Sequence, residues 1–205
     1  MRIAIIMGGV NPGHTRDVTS LIREEGSVEV SYIDLGCSNL DDLELYNIVV
    51  VHTSLESASE AQLFRLSSYL EGKHRILFLI HEAAIYNRQY IFFNKVMCVR
   101  FKNHWKYKKI TIQKESSHSL LNGIESVFQT DDELYFFDED KRKIIQDTNV
   151  LLSELTTGTP VFFEKIIKEN KSFLYYISIG HDDRTLGNHN FRLLIRNLVC
   201  FARSI

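Results

Sequence analysis

Hydrophobic positions along the first half of the chain alternate between short continuous runs and helical spacing. Arg2–Met7 is a strand-sized apolar run that ends in the turn Gly8-Gly9-Val10-Asn11-Pro12-Gly13. Val18, Leu21 and Ile22 then follow the three- and four-residue spacing of a helix face. Val28–Ile33 alternates apolar and polar residues, which predicts a half-buried strand. Ile48–Val51 and Ile76–Ile80 are uninterrupted, as expected for central parallel strands covered on both faces. Between them, Ser59 and Gln62 form an S-x-x-Q capping box before Leu63, Phe64, Leu66 and Leu70, predicting a helix that ends near Gly72. Strands that alternate with helices in this way predict a parallel α/β sheet.

The second half is less regular. Lys109–Ile112 and Val150–Leu155 read as short strands. Pro160–Ile167 and Ser172–Ile179 read as an antiparallel hairpin across the polar turn Lys168-Glu169-Asn170-Lys171. Phe191, Leu194, Ile195, Leu198, Val199 and Ala202 predict a closing amphipathic helix. No repeat interrupts the chain, and two prolines among 205 residues leave no obvious linker, so 1–205 reads as a single domain.

Composition narrows the partners. Lys and Arg total 24 against 26 Asp and Glu, a balance that argues against nucleic acid as a partner. The basic and aromatic segment Lys102–Lys109 could stack on a single strand, but one short patch reads better as a solvated strand entrance. No run approaches the roughly 20 apolar residues of a membrane span, and the first apolar run is too short for a secretory leader. Cys37, Cys98 and Cys200 lack C-x-x-C spacing, which points to a reducing, cytoplasmic setting rather than a disulfide framework.

The histidines carry the chemical signal. His52 follows the Ile48–Val51 run, His81 follows Ile76–Ile80, His181 follows the last strand after one glycine, and His14 lies after the first strand. In open α/β sheets ligands bind beyond the carboxyl ends of the strands, so all four are directed to one edge. Imidazoles serve there as general bases or metal ligands. Glu82, Asp182 and Asp183 accompany them. His74 reads as solvated, and His189 as part of a helix cap.

Several chemistries lack their motifs. A G-x-S-x-G or G-x-C-x-G elbow is absent, and the elbow position after the Ile76–Ile80 run holds His81-Glu82. A cysteine-dependent glutaminase is thereby disfavoured. Ser54 is the only serine placed for a nucleophile, without an elbow around it. There is no phosphate-binding G-x-x-x-x-G-K-[ST] loop and no H-E-x-x-H helix.

Spread along the chain are Gly13-His14-Thr15, Leu79-Ile80-His81-Glu82-Ala83-Ala84, Phe101-Lys102-Asn103-His104, His118-Ser119-Leu120-Leu121-Asn122-Gly123-Ile124, Asp132-Glu133-Leu134-Tyr135 and Tyr176-Ile177-Ser178-Ile179-Gly180-His181-Asp182. In this order they resemble the trehalose-utilisation ThuA-like family of the class I glutamine amidotransferase-like superfamily. The resemblance implies a flavodoxin-like three-layer sandwich with a mostly parallel central sheet and a C-terminal β-hairpin, its catalytic cysteine replaced. It also implies action on carbohydrates, including keto-sugar derivatives.

The family's polar positions map to His14, His81, His104, Glu133 and His181, while His118 belongs to a motif that can instead cap a turn. His81, His181 and Glu133 are the expected catalytic groups, with His14, His81, His104 and His181 as candidate metal ligands. A bound divalent ion would be zinc, manganese or iron, which suit imidazole and carboxylate donors. The expected partner is a small-molecule carbohydrate, and a homo-oligomer is compatible with the sequence. Hydrolysis, elimination or isomerisation beside a sugar carbonyl is the expected chemistry. A non-catalytic sugar-binding or assembly domain is the alternative.

Overall fold

The computed structural model describes residues 1–8, 15–24, 26–86, 96, 99–138 and 141–205. The parallel part of the fold follows the apolar runs closely. Strands β1 (Arg2–Met7), β3 (Ile48–Val51) and β4 (Ile76–Ile80) coincide with those runs, and β3 and β4 are buried at every position. Strand β2 (Glu29–Asp34) pairs only with β1, and its alternating exposure is that of a sheet edge. Helix α1 spans Thr15–Glu24, and helix α2 spans Glu60–Tyr69. The Ser59–Gln62 capping box forms in both directions, and the Gln62 amide also donates to the Leu35 and Ser38 carbonyls, tying α2 to the loop after β2.

The second half contributes β5 (Phe101–His104), β6 (Lys108–Lys114), β7 (Val127–Asp132), β8 (Tyr135–Phe137), helix α3 (Lys141–Asp147), β9 (Asn149–Glu154), β10 (Pro160–Ile167) and β11 (Ser172–Ile177). Helices α4 (Asp183–Leu186) and α5 (His189–Ala202) close the fold. The main sheet runs β2-β1-β3-β4-β11-β10-β9-β6-β7, and β5 and β8 form a separate two-stranded ribbon. Strands β2, β1, β3, β4 and β11 are mutually parallel. The expected hairpin joins β11 to β10, and β9, β6 and β7 continue the sheet with antiparallel pairings.

Two apolar layers enclose the sheet. On one face Ile5, Val50, Phe78 and Tyr175 meet Val18 and Ile22 of α1 and Phe191, Leu194 and Leu198 of α5. On the other, Ile6, Val51, Leu79 and Tyr176 meet Leu63, Leu66 and Tyr69 around α2. The result is the expected three-layer sandwich. Among the described residues, no helix is long and apolar enough to cross a membrane.

Candidate functional site

The topology sets which chain segments meet. Strands β3, β4 and β11 are parallel, so His52, His81 and the Gly180-His181 pair leave the sheet at one edge. Four successive antiparallel pairings from β11 to β7 restore the same direction, which brings Asp132 and Glu133 to that edge as well. The β5–β8 ribbon supplies the remainder, with His104 in register with Tyr135.

The convergence is centred on Glu133. Its Oε2 lies 3.5 Å from His104 Nδ1, 3.8 Å from His181 Nδ1 and 3.9 Å from His81 Nε2. Of the expected residues, His81, His104, Glu133 and His181 are therefore together. His14 and Cys98 lie outside the described residues. His52 lies beneath the site, its Nε2 3.0 Å from the Gly180 carbonyl.

His81 is the deepest member, with its side chain 1% exposed against 34% for His181 and 40% for His104. It stands at φ +48°, a left-handed conformation at the sharp turn where β4 leads into the short 3-10 turn His81–Ala84. Such a conformation costs a residue with a Cβ about 1–2 kcal/mol, and strain of this kind concentrates at functional sites. Its Nδ1 is 3.2 Å from the Tyr135 hydroxyl, and its carbonyl accepts from the Tyr176 hydroxyl at 3.1 Å. Burial drives the imidazole well below the usual histidine range, and His181, His52 and His104 nearby push it further down. The ring is therefore neutral at pH 7.

Asp132 was not expected among the site residues, yet it organises the edge. Its side chain is fully buried. Oδ2 accepts from the Gly180 amide at 2.7 Å, the Thr185 hydroxyl at 2.6 Å and the His181 amide at 3.4 Å, and Oδ1 accepts from the Glu133 amide at 2.7 Å. Burial raises its pKa and these hydrogen bonds only partly offset the shift. Asp182 caps α4, and its carboxylate pairs with Arg184 and accepts from the Tyr107 hydroxyl. Burial pushes the Asp182 carboxyl up, but the Arg184 and Tyr107 hydrogen bonds prevail and hold it at about 2.

The remaining polar candidates have structural work. His118 Nδ1 accepts from the Leu120 amide, capping a turn, and its Nε2 is 3.3 Å from Glu164. His74 is exposed. Asn188, not His189, caps α5. Ser54 Oγ accepts from the Glu56 amide in a local turn. Cys37 and Cys200 are exposed free thiols.

The donors also suit a metal ion. Ligand atoms of His81, Glu82 and His181 lie within 4.8 Å of one another. His81 Nε2 is buried without a hydrogen-bond partner, as an unused ligand atom would be. Two imidazoles and a carboxylate match zinc, manganese or iron. His104 is not part of this triple, and its Nδ1 is 2.8 Å from the Trp105 carbonyl.

The ThuA family model, described as trehalose utilisation, matches residues 11–202. The chain belongs to the ThuA family. Among solved structures, a ThuA-like protein from Bacteroides uniformis is similar with a TM-score of 0.75 and 16% identity, the match covering 96% of this chain and 88% of that one. A glutamine amidotransferase from Thermotoga maritima is similar with a TM-score of 0.66 and 14% identity, over 100% and 98% of the two chains. A β-galactosidase from the haloarchaeon Halorubrum lacusprofundi matches with a TM-score of 0.61 and 13% identity, over 95% of this chain but 30% of that one. These likenesses place the ThuA chain in the amidotransferase-type α/β fold. No curated protein matches it in sequence.

Proposed function

We propose that this ThuA-family chain acts on a carbohydrate or keto-sugar derivative in the cleft at the carboxyl edge of its sheet, without a catalytic cysteine. The observation that carries the proposal is the Glu133 carboxylate set among three imidazoles from three separate segments, one of them at a strained elbow. Imidazoles and carboxylates placed in reach of one another are the groups that acid–base chemistry at neutral pH uses.

In this reading Glu133 removes the proton from the carbon beside a sugar carbonyl. The C–H electron pair forms a carbon–carbon double bond as the carbonyl π pair moves onto its oxygen, where His181 donates a hydrogen bond. Return of the proton to the former carbonyl carbon, with the adjacent hydroxyl proton passing through a histidine to the enolate oxygen, gives isomerisation. Departure of a β-oxygen, protonated by a histidine as the carbonyl re-forms, gives elimination. His81, neutral and buried beneath, supports Glu133 from behind. A divalent ion held by His81, Glu82 and His181 would supply Lewis-acid polarisation of the carbonyl.

The alternative is a sugar-binding or assembly role without catalysis. It draws support from the same fold forming part of a longer β-galactosidase chain.

The two readings separate on His81→Asn and Glu133→Gln variants assayed with keto-disaccharides and their unoxidised parents, beside elemental analysis of the purified protein. Catalysis predicts turnover of the keto-sugar that falls at least a hundredfold in each variant while the protein remains folded. Turnover that survives both substitutions would defeat the assignment. Absence of turnover, with sugar binding retained, would establish the alternative.

A further inference from the structure

A cleft of about 480 Å³ opens at the amino edge of the sheet, with the whole length of β4 and β11 between it and the histidine cluster. His74 lines it from the loop before β4, and Lys168 and Lys171 line it from the turn between β10 and β11. Ile166 and Phe173 add apolar surface, and Ser204 and Ile205 close one side. The two loops are tied together. The His74 amide donates to the Asn170 carbonyl at 3.1 Å, the Phe173 amide to the Arg75 carbonyl at 2.8 Å, and the Asn170 side chain to the Leu70 carbonyl at 2.7 Å. Phe173 lies parallel to Tyr175 with ring centroids 6.0 Å apart and meets Phe201 edge to face at 5.1 Å. His74 and Lys171 stand at φ +56° and +57°, where glycine or asparagine fits most easily. Both positions instead carry a side chain able to bear positive charge. The cleft is preformed, and its cationic groups hang from an anchored frame.

We propose that this cleft binds a phosphate monoester with a flat, apolar-faced body, the chemistry of a nucleoside monophosphate. No Asp or Glu lines the cleft. Among the described residues, neither Lys168 nor Lys171 is engaged in an ion pair, so both charges are open to an anion. A phosphate monoester carries close to two negative charges at neutral pH and matches two ammonium groups, whereas a carboxylate carries one. Lysine serves phosphate as a point charge. The His74 ring and the Ser204 hydroxyl supply further donors. Phe173 and Ile166 offer the base its apolar surface. The volume falls in the range of small-molecule sites. An inorganic anion would leave Phe173 and Ile166 uncovered, and a purely apolar ligand would leave two ammonium groups unused. A nucleic-acid strand would require a longer basic track than two lysines on a chain of net charge −2. The proposal does not depend on the chemistry at Glu133.

Equilibrium dialysis of the full chain against radiolabelled AMP or CMP tests this assignment. Saturable binding in the micromolar to millimolar range is expected. Adenosine and inorganic phosphate should each compete at least tenfold more weakly than unlabelled AMP. Lys168→Ala and Lys171→Gly alter exposed residues, and glycine suits the left-handed turn at 171, so both proteins should fold and bind at least tenfold more weakly. Lys109→Ala removes an exposed lysine of β6 outside the cleft and should leave binding unchanged.

Failure of both nucleotides to bind saturably at millimolar concentration would overturn the proposal. So would binding that survives both Lys168→Ala and Lys171→Gly, since the nucleotide would then sit elsewhere. An equal loss in Lys109→Ala would reduce the effect to diffuse attraction between charges and overturn it too. Inorganic phosphate competing as well as AMP would do the same, because the apolar surface would then recognise nothing.

Discussion

The Tyr135 hydroxyl and His81 Nδ1 lie 3.2 Å apart in the buried floor of the site, their ring centroids 4.2 Å apart. Burial pushes the Tyr135 phenol far up, so it stays protonated and can donate. On its other side His81 turns Nε2 toward two carboxylates, Asp132 and Glu133, each 3.9 Å away. A lone pair on Nε2 would oppose both charges, and a proton there is attracted by both. The favoured arrangement has Tyr135 donating to Nδ1 and His81 carrying its proton on Nε2. A metal ion at Nε2 would reverse this, leaving Nδ1 to donate to Tyr135.

Nitrogen chemical shifts of labelled His81 separate the two tautomers. Metal-free protein should show a protonated Nε2. Tyr135→Phe removes the donor, so Nδ1 should lose its hydrogen-bonded shift and turnover should fall about tenfold to a hundredfold. A protonated Nδ1 in the metal-free protein would refute the arrangement.

The left-handed backbone at His81 makes a separate prediction. Alanine there keeps the strain and loses the ring. Glycine loses the ring but tolerates φ +48°. Asparagine is among the side chains best tolerated in this region. Thermal unfolding should therefore rank His81→Gly and His81→Asn above His81→Ala, with glycine ahead of alanine by about 1 kcal/mol. All three should lack turnover. Alanine matching glycine would show that the turn relaxes and stores no strain.

Gly180 and Asp132 hold the His181 loop in place, and each has little tolerance for change. Gly180 has φ +119°, and a Cβ there would sit 2.8 Å from Ile80 Cγ2 and 3.3 Å from Phe191 Cζ. Gly180→Ala should cost roughly 2–4 kcal/mol from backbone strain and overpacking together. Asp132→Asn turns an amide group toward amide and hydroxyl donors that now point at oxygen, and should cost about 2–4 kcal/mol. Urea unfolding measures both. A loss under about 1 kcal/mol in either variant would mean that the loop repacks around the change.

The parts of this site that could be read from sequence are those set by local pattern. His81 was legible because it ends a five-residue apolar run, and His181 because it follows a strand through one glycine. Glu133 and His104 entered only through family resemblance. The ribbon that carries His104 was missed for a physical reason. Phe101–His104 has one apolar residue in four, and Tyr135–Phe137 is three residues long, so neither shows a period. Strand β7 does alternate, but its buried positions are Phe128, Thr130 and Asp132. A polar residue on an inward position was the available signal for Asp132. Apart from the adjacent Glu133 amide, the donors that satisfy that carboxylate, the Gly180 and His181 amides and the Thr185 hydroxyl, lie 48, 49 and 53 residues away. No local pattern encodes such a partnership.

Away from the site, Glu154 gives a pH test of the fold itself. It ends β9 nearly fully buried and accepts from both the amide and the hydroxyl of Thr157, each at 2.7 Å. Burial pushes its carboxyl up, but the threonine hydrogen bonds outweigh this and leave it below the usual glutamate range. The unfolded chain therefore takes up this proton first as the pH falls, beginning near the ordinary value of about 4.3. The stability that Glu154 contributes is complete above that pH and shrinks as the pH drops through the lowered folded value. Glu154→Gln cannot titrate. It should be less stable than the parent by about 1–2 kcal/mol at neutral pH, and the gap should narrow steadily below about pH 4. Urea unfolding of both proteins across this range measures the gap, and a gap that stays constant into acid would show that the threonine hydrogen bonds do not lower the carboxyl.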